Sequence, residues 1–196
     1  YPDLEVSDER RVNEFQAPYQ SASRVGDPST MIPINMAGAT YAALNALEAR
    51  EGPVDEYVAS KLAYAVADLG SYFSPEQVDA LALGINAVEQ NRGIINADMT
   101  GVGKGRYVAG LLRYAKLHGK KPIFLTITPE LFTDIFRDIN DIGSGDLFKK
   151  LFIFNDGVNI KKFGTEAEVL YPATTPGERE AALKSGAIDA DVDLVL

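Results

Sequence analysis

A chain of 196 residues, 46% hydrophobic and 24% charged, is long enough for one domain with an appendage and apolar enough to bury a core, which excludes a disordered polypeptide. It has no cysteine, so disulfides and thiolate metal sites are excluded, and no apolar run reaches the length of a membrane span; a cytoplasmic setting with no membrane partner is the expectation. The net charge of −9 argues against a broad basic surface for nucleic acid but leaves room for phosphate contacts made by backbone N–H groups and helix N-termini.

Residues 1–35 read as an irregular N-terminal arm. Arg10-Arg11, Pro18, Ser21-Ala22-Ser23 and Gly26-Asp27-Pro28-Ser29 carry turn formers and no sustained period. Residues 36–91 read as a helical lead-in. The stretch 36–47 is rich in helix formers and is stopped by Gly52-Pro53. A second helix over 54–69 would place Val58, Leu62, Ala65 and Leu69 on one face, with Gly70 as its stop. Ser74-Pro75-Glu76-Gln77 has the spacing of a capping box with Pro at the first helical position, and opens a third helix to about residue 90.

Residues 92–196 alternate. A short apolar run at 93–97 suits a buried strand, a glycine-rich turn follows, and Val108, Leu111, Leu112 and Ala115 then recur at helical spacing. A strand at 121–126 precedes a helix opened by Pro129, with Leu131, Phe132, Ile135, Phe136 and Ile139 inward. Strands at 151–154 and 169–171, a helix over 176–184 and a last strand at 193–196 complete the series. Alternation at this spacing predicts an α/β fold with a parallel sheet. A chain that stops within an apolar strand reads as a piece of a longer polypeptide, because an unpaired core edge is costly.

The residues with the most chemical content are Asp98-Met99-Thr100-Gly101-Val102-Gly103-Lys104-Gly105-Arg106. A phosphate cradle needs backbone N–H groups turned inward, which Gly101, Gly103 and Gly105 permit. It also needs a cation that reaches the β/γ-phosphates, Lys104, and a helix N-terminus aimed at the anion. Against G-x-x-x-x-G-K-[ST], Gly103-Lys104 fits; Asp98 replaces the first glycine, and Gly105 replaces the hydroxyl that holds magnesium. An isolated G-x-G-K is more often a turn without chemistry. The strand expected before it and the helix after it favour nucleotide binding here.

Other residues carry less. Arg106 reads equally as a phosphate contact or as the partner of a surface acid, and Asp98 as a contact to a metal-bound water or as a brace of the loop. His118, before Gly119, reads as a residue of a helix C-terminus. Asp138 and Asp141 read as solvated. Asp189, Asp191 and Asp193 share one side of a strand approach, with nothing else suggesting a metal site.

With these residues in view, the chain resembles the strawberry notch-like branch of superfamily-2 helicases and translocases. Gly101-Val102-Gly103-Lys104-Gly105-Arg106 is similar to that branch's motif I, in which glycine follows the lysine, and Ser74-Pro75-Glu76-Gln77-Val78-Asp79-Ala80 to its segment upstream. The run from Thr128 to Gly143 is similar to the branch's stretch ending in D-I-G, and Met31-Ile32-Pro33-Ile34-Asn35-Met36 to its lead-in. The resemblance spans roughly residues 33–143. It implies a RecA-like P-loop lobe that binds ATP with Mg²⁺, most of the metal's ligands lying outside this chain. It implies Lys104 as the catalytic cation, Gln77 as the reader of adenine, and Thr100, Gly101, Val102, Gly103, Gly105 and Arg106 as the remaining nucleotide contacts. Thr128 and Pro129 fall at motif Ia, which touches a nucleic-acid strand. The implied whole is an ATP-hydrolysing DNA helicase or translocase. This chain, in which no motif II Asp-Glu box and no second lobe can be read, is expected to be inactive by itself. Relatives of this kind are often parts of long phage- or plasmid-encoded polypeptides. A virion-carried protein whose P-loop lobe serves packing or docking is therefore the second expectation.

Overall fold

The structure, a computed structural model, describes residues 15–98, 101–155, 157–164 and 168–196. It divides into two units, Tyr1–Tyr107 and Val108–Leu196.

In the first unit, β1 (Gln16–Pro18) pairs antiparallel with β2 (Met31–Pro33), Ala17 opposite Ile32. Helix α1 (Ile34–Glu51) runs on from β2 and ends where Gly52 takes φ 88°, which costs a residue without Cβ little. Helix α2 (Val54–Leu62) is stopped earlier than its sequence suggests, by Ala63 in the left-handed region. A short 3₁₀ turn and α3 (Leu69–Tyr72) follow. The single helix expected over 54–69 is thus broken, Ala65 is exposed, and Gly70 lies inside α3 rather than stopping a helix. The reason is tertiary. Tyr64 folds back to stack on Tyr72 at 4.7 Å, and a Cβ on Gly70 would stand 2.9 Å from the carbonyl oxygen of Val25. That glycine marks a close approach of the arm.

Helix α4 (Pro75–Glu89) starts as expected. The Ser74 hydroxyl accepts from the Gln77 N–H, and the Gln77 side chain accepts from the Ser74 N–H at 3.0 Å. Val78, Leu81, Ala82 and Ile85 are fully buried, and α4 packs on α1 and α2. Each such aliphatic side chain stabilises the fold by about 1.5–3 kcal/mol relative to exposure.

Three carboxylates fasten the arm to these helices. Asp79 accepts the Tyr19 O–H at 2.8 Å and the N–H groups of Ala22 and Ser23 at 2.9 and 2.8 Å. Asp55 takes the Ser23 hydroxyl and the Arg24 N–H, and Glu76 takes the N–H groups of Ser29 and Thr30. Burial pushes Asp79 up to about 6 against the hydrogen bonds it accepts, and burial with the adjacent Asp79 also raises the Tyr19 phenol. At Glu76 burial is outweighed by hydrogen bonds from backbone N–H groups and hydroxyls, and the carboxyl lies below its usual range.

Helix α5 (Lys104–Leu117) continues into the second unit. There, β3 (Leu151–Phe152) pairs parallel with β6 (Leu194–Val195), Phe152 opposite Val195. Residues 122–124 join β6 on its other edge, Ile123 bridging Val195 in parallel, with the Phe124 N–H 2.9 Å from the Val195 carbonyl. Leu194, Val195 and Leu196 are buried at the centre, and Ala182 of α7 (Pro176–Ser185) covers one side with Phe152, Val192 and Val195. Asp193 tightens this region by accepting the N–H groups of Lys149 and Lys150, both at 2.8 Å, and by pairing with Lys116.

Several sequence expectations need correction. Residues 93–97 form no strand, and Ile95 is 91% exposed. The 169–171 segment, β5 (Val169–Tyr171), pairs antiparallel with β4 (Ile160–Lys161) in a hairpin of its own, outside the parallel pairing. Helix α6 (Leu131–Asp141) buries Phe132, Ile135, Phe136 and Ile139 as its period demands, but Leu131 in its first turn is exposed. Asp138 is buried rather than solvated, because it lies three residues from Ile135 and four from Ile142 on the inward side. Arg137 covers its carboxylate at 3.0 Å.

Candidate functional site

Glycine placement shapes the loop that precedes α5. Gly101 takes φ 98° and Gly103 φ 77°, conformations that favour glycine, and Lys104 is the first residue of α5. Substitution at the two positions differs in consequence. No described residue lies within 4 Å of a Cβ built on Gly101, whereas one on Gly103 would stand 2.3 Å from the Gln77 side-chain nitrogen. Gly105 lies in the first turn of α5, so no side-chain hydroxyl follows the lysine.

Gln77 holds this loop from below. Its Nε2 donates to the carbonyls of Val102 and Gly103, both at 3.1 Å, while its Oε1 is engaged in the cap of α4. The residue assigned by resemblance to adenine therefore has its amide committed to the loop's backbone. Lys104 Nζ donates to the Asp98 carbonyl at 2.8 Å, closing the loop across its mouth, and the Asp98 N–H is held by the Asn96 side chain at 2.8 Å. Asp98 thus braces the loop through backbone groups. Arg106 donates to the Tyr72 carbonyl at 3.1 Å, tying the start of α5 to the end of α3. Thr100 lies outside the described residues.

Tyr107, in α5, has a feature the sequence does not show. Its ring is 5% exposed and its hydroxyl has no hydrogen-bond partner among the described residues. Burial, and then the negative charge of Asp98, push the phenol up to about 12, so the group stays a neutral donor. An unpaired buried hydroxyl costs about 1–3 kcal/mol. In the sequence an aromatic on the inner face of an amphipathic helix reads as core, and nothing there marks a hydroxyl without a partner among the described residues.

Thr128 and Pro129 stand in the second unit, at the turn that leads into α6; the Phe132 N–H reaches the Pro129 carbonyl at 3.0 Å. Pro129 lines a cleft of about 560 Å³. His118 follows α5, its Nδ1 2.8 Å from the Tyr114 carbonyl and its ring against that tyrosine. Asp189 and Asp191 face Lys150, and no cluster of three His, Asp or Glu side chains able to hold a metal occurs among the described residues.

The donor set around 101–106 suits a polyphosphate: two glycines with positive φ, an ammonium, and the N-terminus of a helix of 14 residues. It offers a divalent cation no hydroxyl at position 105, so magnesium held there would be carried by phosphate oxygens and water. No helix among the described residues is long and apolar enough to cross a membrane. The family model for the P-loop containing NTP hydrolase pore-1 domain matches residues 28–170, which takes in the arm's second strand, α1 to α6 and the glycine loop. No curated protein and no solved structure matches the chain.

Proposed function

The chain belongs to the P-loop containing NTP hydrolase pore-1 family and carries a nucleotide-binding P-loop; on that premise we propose that it is the ATP-binding, RecA-like lobe of a DNA helicase or translocase of the strawberry notch-like branch. The observation that carries the reading is the pair of positive-φ glycines, 101 and 103, immediately ahead of Lys104 at the start of α5. In this reading residues 1–35 are an arm, 36–91 a helical lead-in and 92–196 the P-loop part.

Each residue then has a stated task. Backbone N–H groups of Gly101 to Gly105 take the phosphate oxygens. Lys104 leaves the Asp98 carbonyl and places its ammonium on the β/γ-phosphates, where it offsets charge that grows as the terminal phosphoryl departs. ATP supplies that transferable phosphoryl group, with Mg²⁺ on its oxygens. Gln77 has two tasks that compete for one amide: it anchors Val102 and Gly103, and on adenine it would give up one or both of those bonds. Arg106 fixes the start of α5 through Tyr72. Thr128 and Pro129, at the start of α6, are the nucleic-acid contacts.

DNA-stimulated ATP hydrolysis by the full-length protein tests the reading. Turnover that rises with single-stranded DNA and is lost in Lys104→Ala supports a motor. Nucleotide binding without DNA-dependent turnover would replace it with the docking or virion-carried reading.

A further inference from the structure

The hairpin of β4 and β5 has no part in the P-loop chemistry, yet it forms one wall of a cleft in the second unit. Pro129, Glu130 and Thr133 of the α6 turn line one side, and Asn159, Lys161 and Lys162 the other, around about 560 Å³. That volume falls within the range of small-ligand sites. The wall is anchored: Ile160 is fully buried, and the Lys161 N–H reaches the Thr133 hydroxyl at 3.4 Å. Next in the chain stands Phe163, 57% exposed. The Arg137 guanidinium lies 4.5 Å from its ring centroid and is itself held by Asp134 and Asp138 at 3.1 and 3.0 Å. A half-exposed aromatic ring with a guanidinium against it, next in sequence to two lysines that line the cleft, combines a stacking platform with phosphate-neutralising charge.

We propose that this cleft is a contact site for single-stranded nucleic acid, with Lys161 and Lys162 on backbone phosphates and Phe163 stacked on a base. The proposal rests on the nucleic-acid reading above and adds residues that the motif Ia resemblance does not reach. Among the described residues, two acids bear on this charge. Glu130 lines the cleft, and Glu168 pairs with Lys162 at 3.0 Å. Both members of that pair are more than half exposed, so it contributes little and yields readily to a phosphate. The exposed ring favours a polynucleotide over a phosphopeptide, since every base offers it a π-face.

The test is fluorescence anisotropy of a labelled oligothymidylate with the 196-residue chain across a salt series starting at low ionic strength. Removing two phosphate contacts in Lys161→Ala/Lys162→Ala should make the slope of log affinity against log salt shallower by about 1.4. Phe163→Ala and the bulk-preserving Phe163→Leu should each weaken binding about five-fold or more with the salt slope unchanged. Lys184→Ala, an exposed residue of α7 paired with Glu180, should match the parent. Equal binding by all variants, or the same loss in Lys184→Ala, overturns the site while leaving the nucleic-acid reading intact. No binding by the parent at low salt overturns both.

Discussion

Gly103→Ala isolates the contact on which the loop's shape depends. Two separate penalties meet at this residue. An alanine at φ 77° occupies a left-handed conformation, at roughly 1–2 kcal/mol. Its Cβ would also lie 2.3 Å from Gln77 Nε2, so the amide must swing away and give up its bonds to Val102 and Gly103, each worth about 0.5–1.5 kcal/mol. Together these destabilise the chain by about 2–5 kcal/mol. Gly101→Ala is the internal reference. Its φ is 98° and its Cβ would meet no described residue, so the backbone term of about 1–2 kcal/mol is the expected cost. The assay is urea unfolding of four proteins: parent, Gly103→Ala, Gln77→Ala and the double variant. Because Gln77→Ala already lacks the amide, the two substitutions should cost less together than the sum of each alone, by about 1–3 kcal/mol. Equal losses for Gly101→Ala and Gly103→Ala, with additive behaviour in the double variant, would refute the claim that Gln77 shapes the loop.

Two other perturbations follow from the first unit. Asp79 holds its proton up to about pH 6 in the folded chain, against an ordinary value of 3.8, so its contribution of about 3 kcal/mol is present in full below pH 3.8 and lost as pH rises through 6. Its carboxyl carbon resonance should titrate near 6, whereas that of Glu76 titrates below its usual range; a midpoint near 4 for Asp79 would contradict the desolvation argument. Ser74→Ala removes the cap of α4 and should lower stability by about 0.5–2 kcal/mol in thermal unfolding, with Ser74→Thr restoring most of it.

The sequence carried the first-unit helices better than the second-unit sheet, and the difference has a physical basis. A capping box is a local device, so Ser74 and Gln77 announced α4 without any knowledge of the rest. The amphipathic period of α6 likewise placed four of its five inward residues correctly. A strand, by contrast, exists only through its partner. The apolar run at 93–97 resembles a buried strand as much as 151–154 does, yet 151–152 finds β6 and 93–97 finds no ladder partner among the described residues. Alternation of strands and helices also hid the β4–β5 hairpin, whose antiparallel register no spacing rule distinguishes from a further parallel strand.

At the candidate site, the positive φ of Gly101 and Gly103 and the place of Lys104 at the start of α5 were legible, because a glycine-rich turn ahead of a helical period is a local signal. The uses made of side chains were not. Gln77 on the loop, Arg106 on Tyr72 and Lys104 on Asp98 are choices among partners that only the folded chain brings close. Asp79 did leave a signal. An acid four residues after Pro75 and three before Ala82 falls on the buried face of α4, where it needs donors, and the arm supplies three.

The central claim is that the loop at 101–106 binds nucleotide through Lys104, and isothermal titration of ADP into the parent and Lys104→Ala tests it most directly. The ammonium's charge-assisted bonds are worth about 1.5–3 kcal/mol, so affinity should fall about ten- to a hundred-fold. Unfolding should change little, since the hydrogen bond from Lys104 Nζ to the Asp98 carbonyl is exposed. Equal ADP affinity for the two proteins, at unchanged stability, would contradict the account.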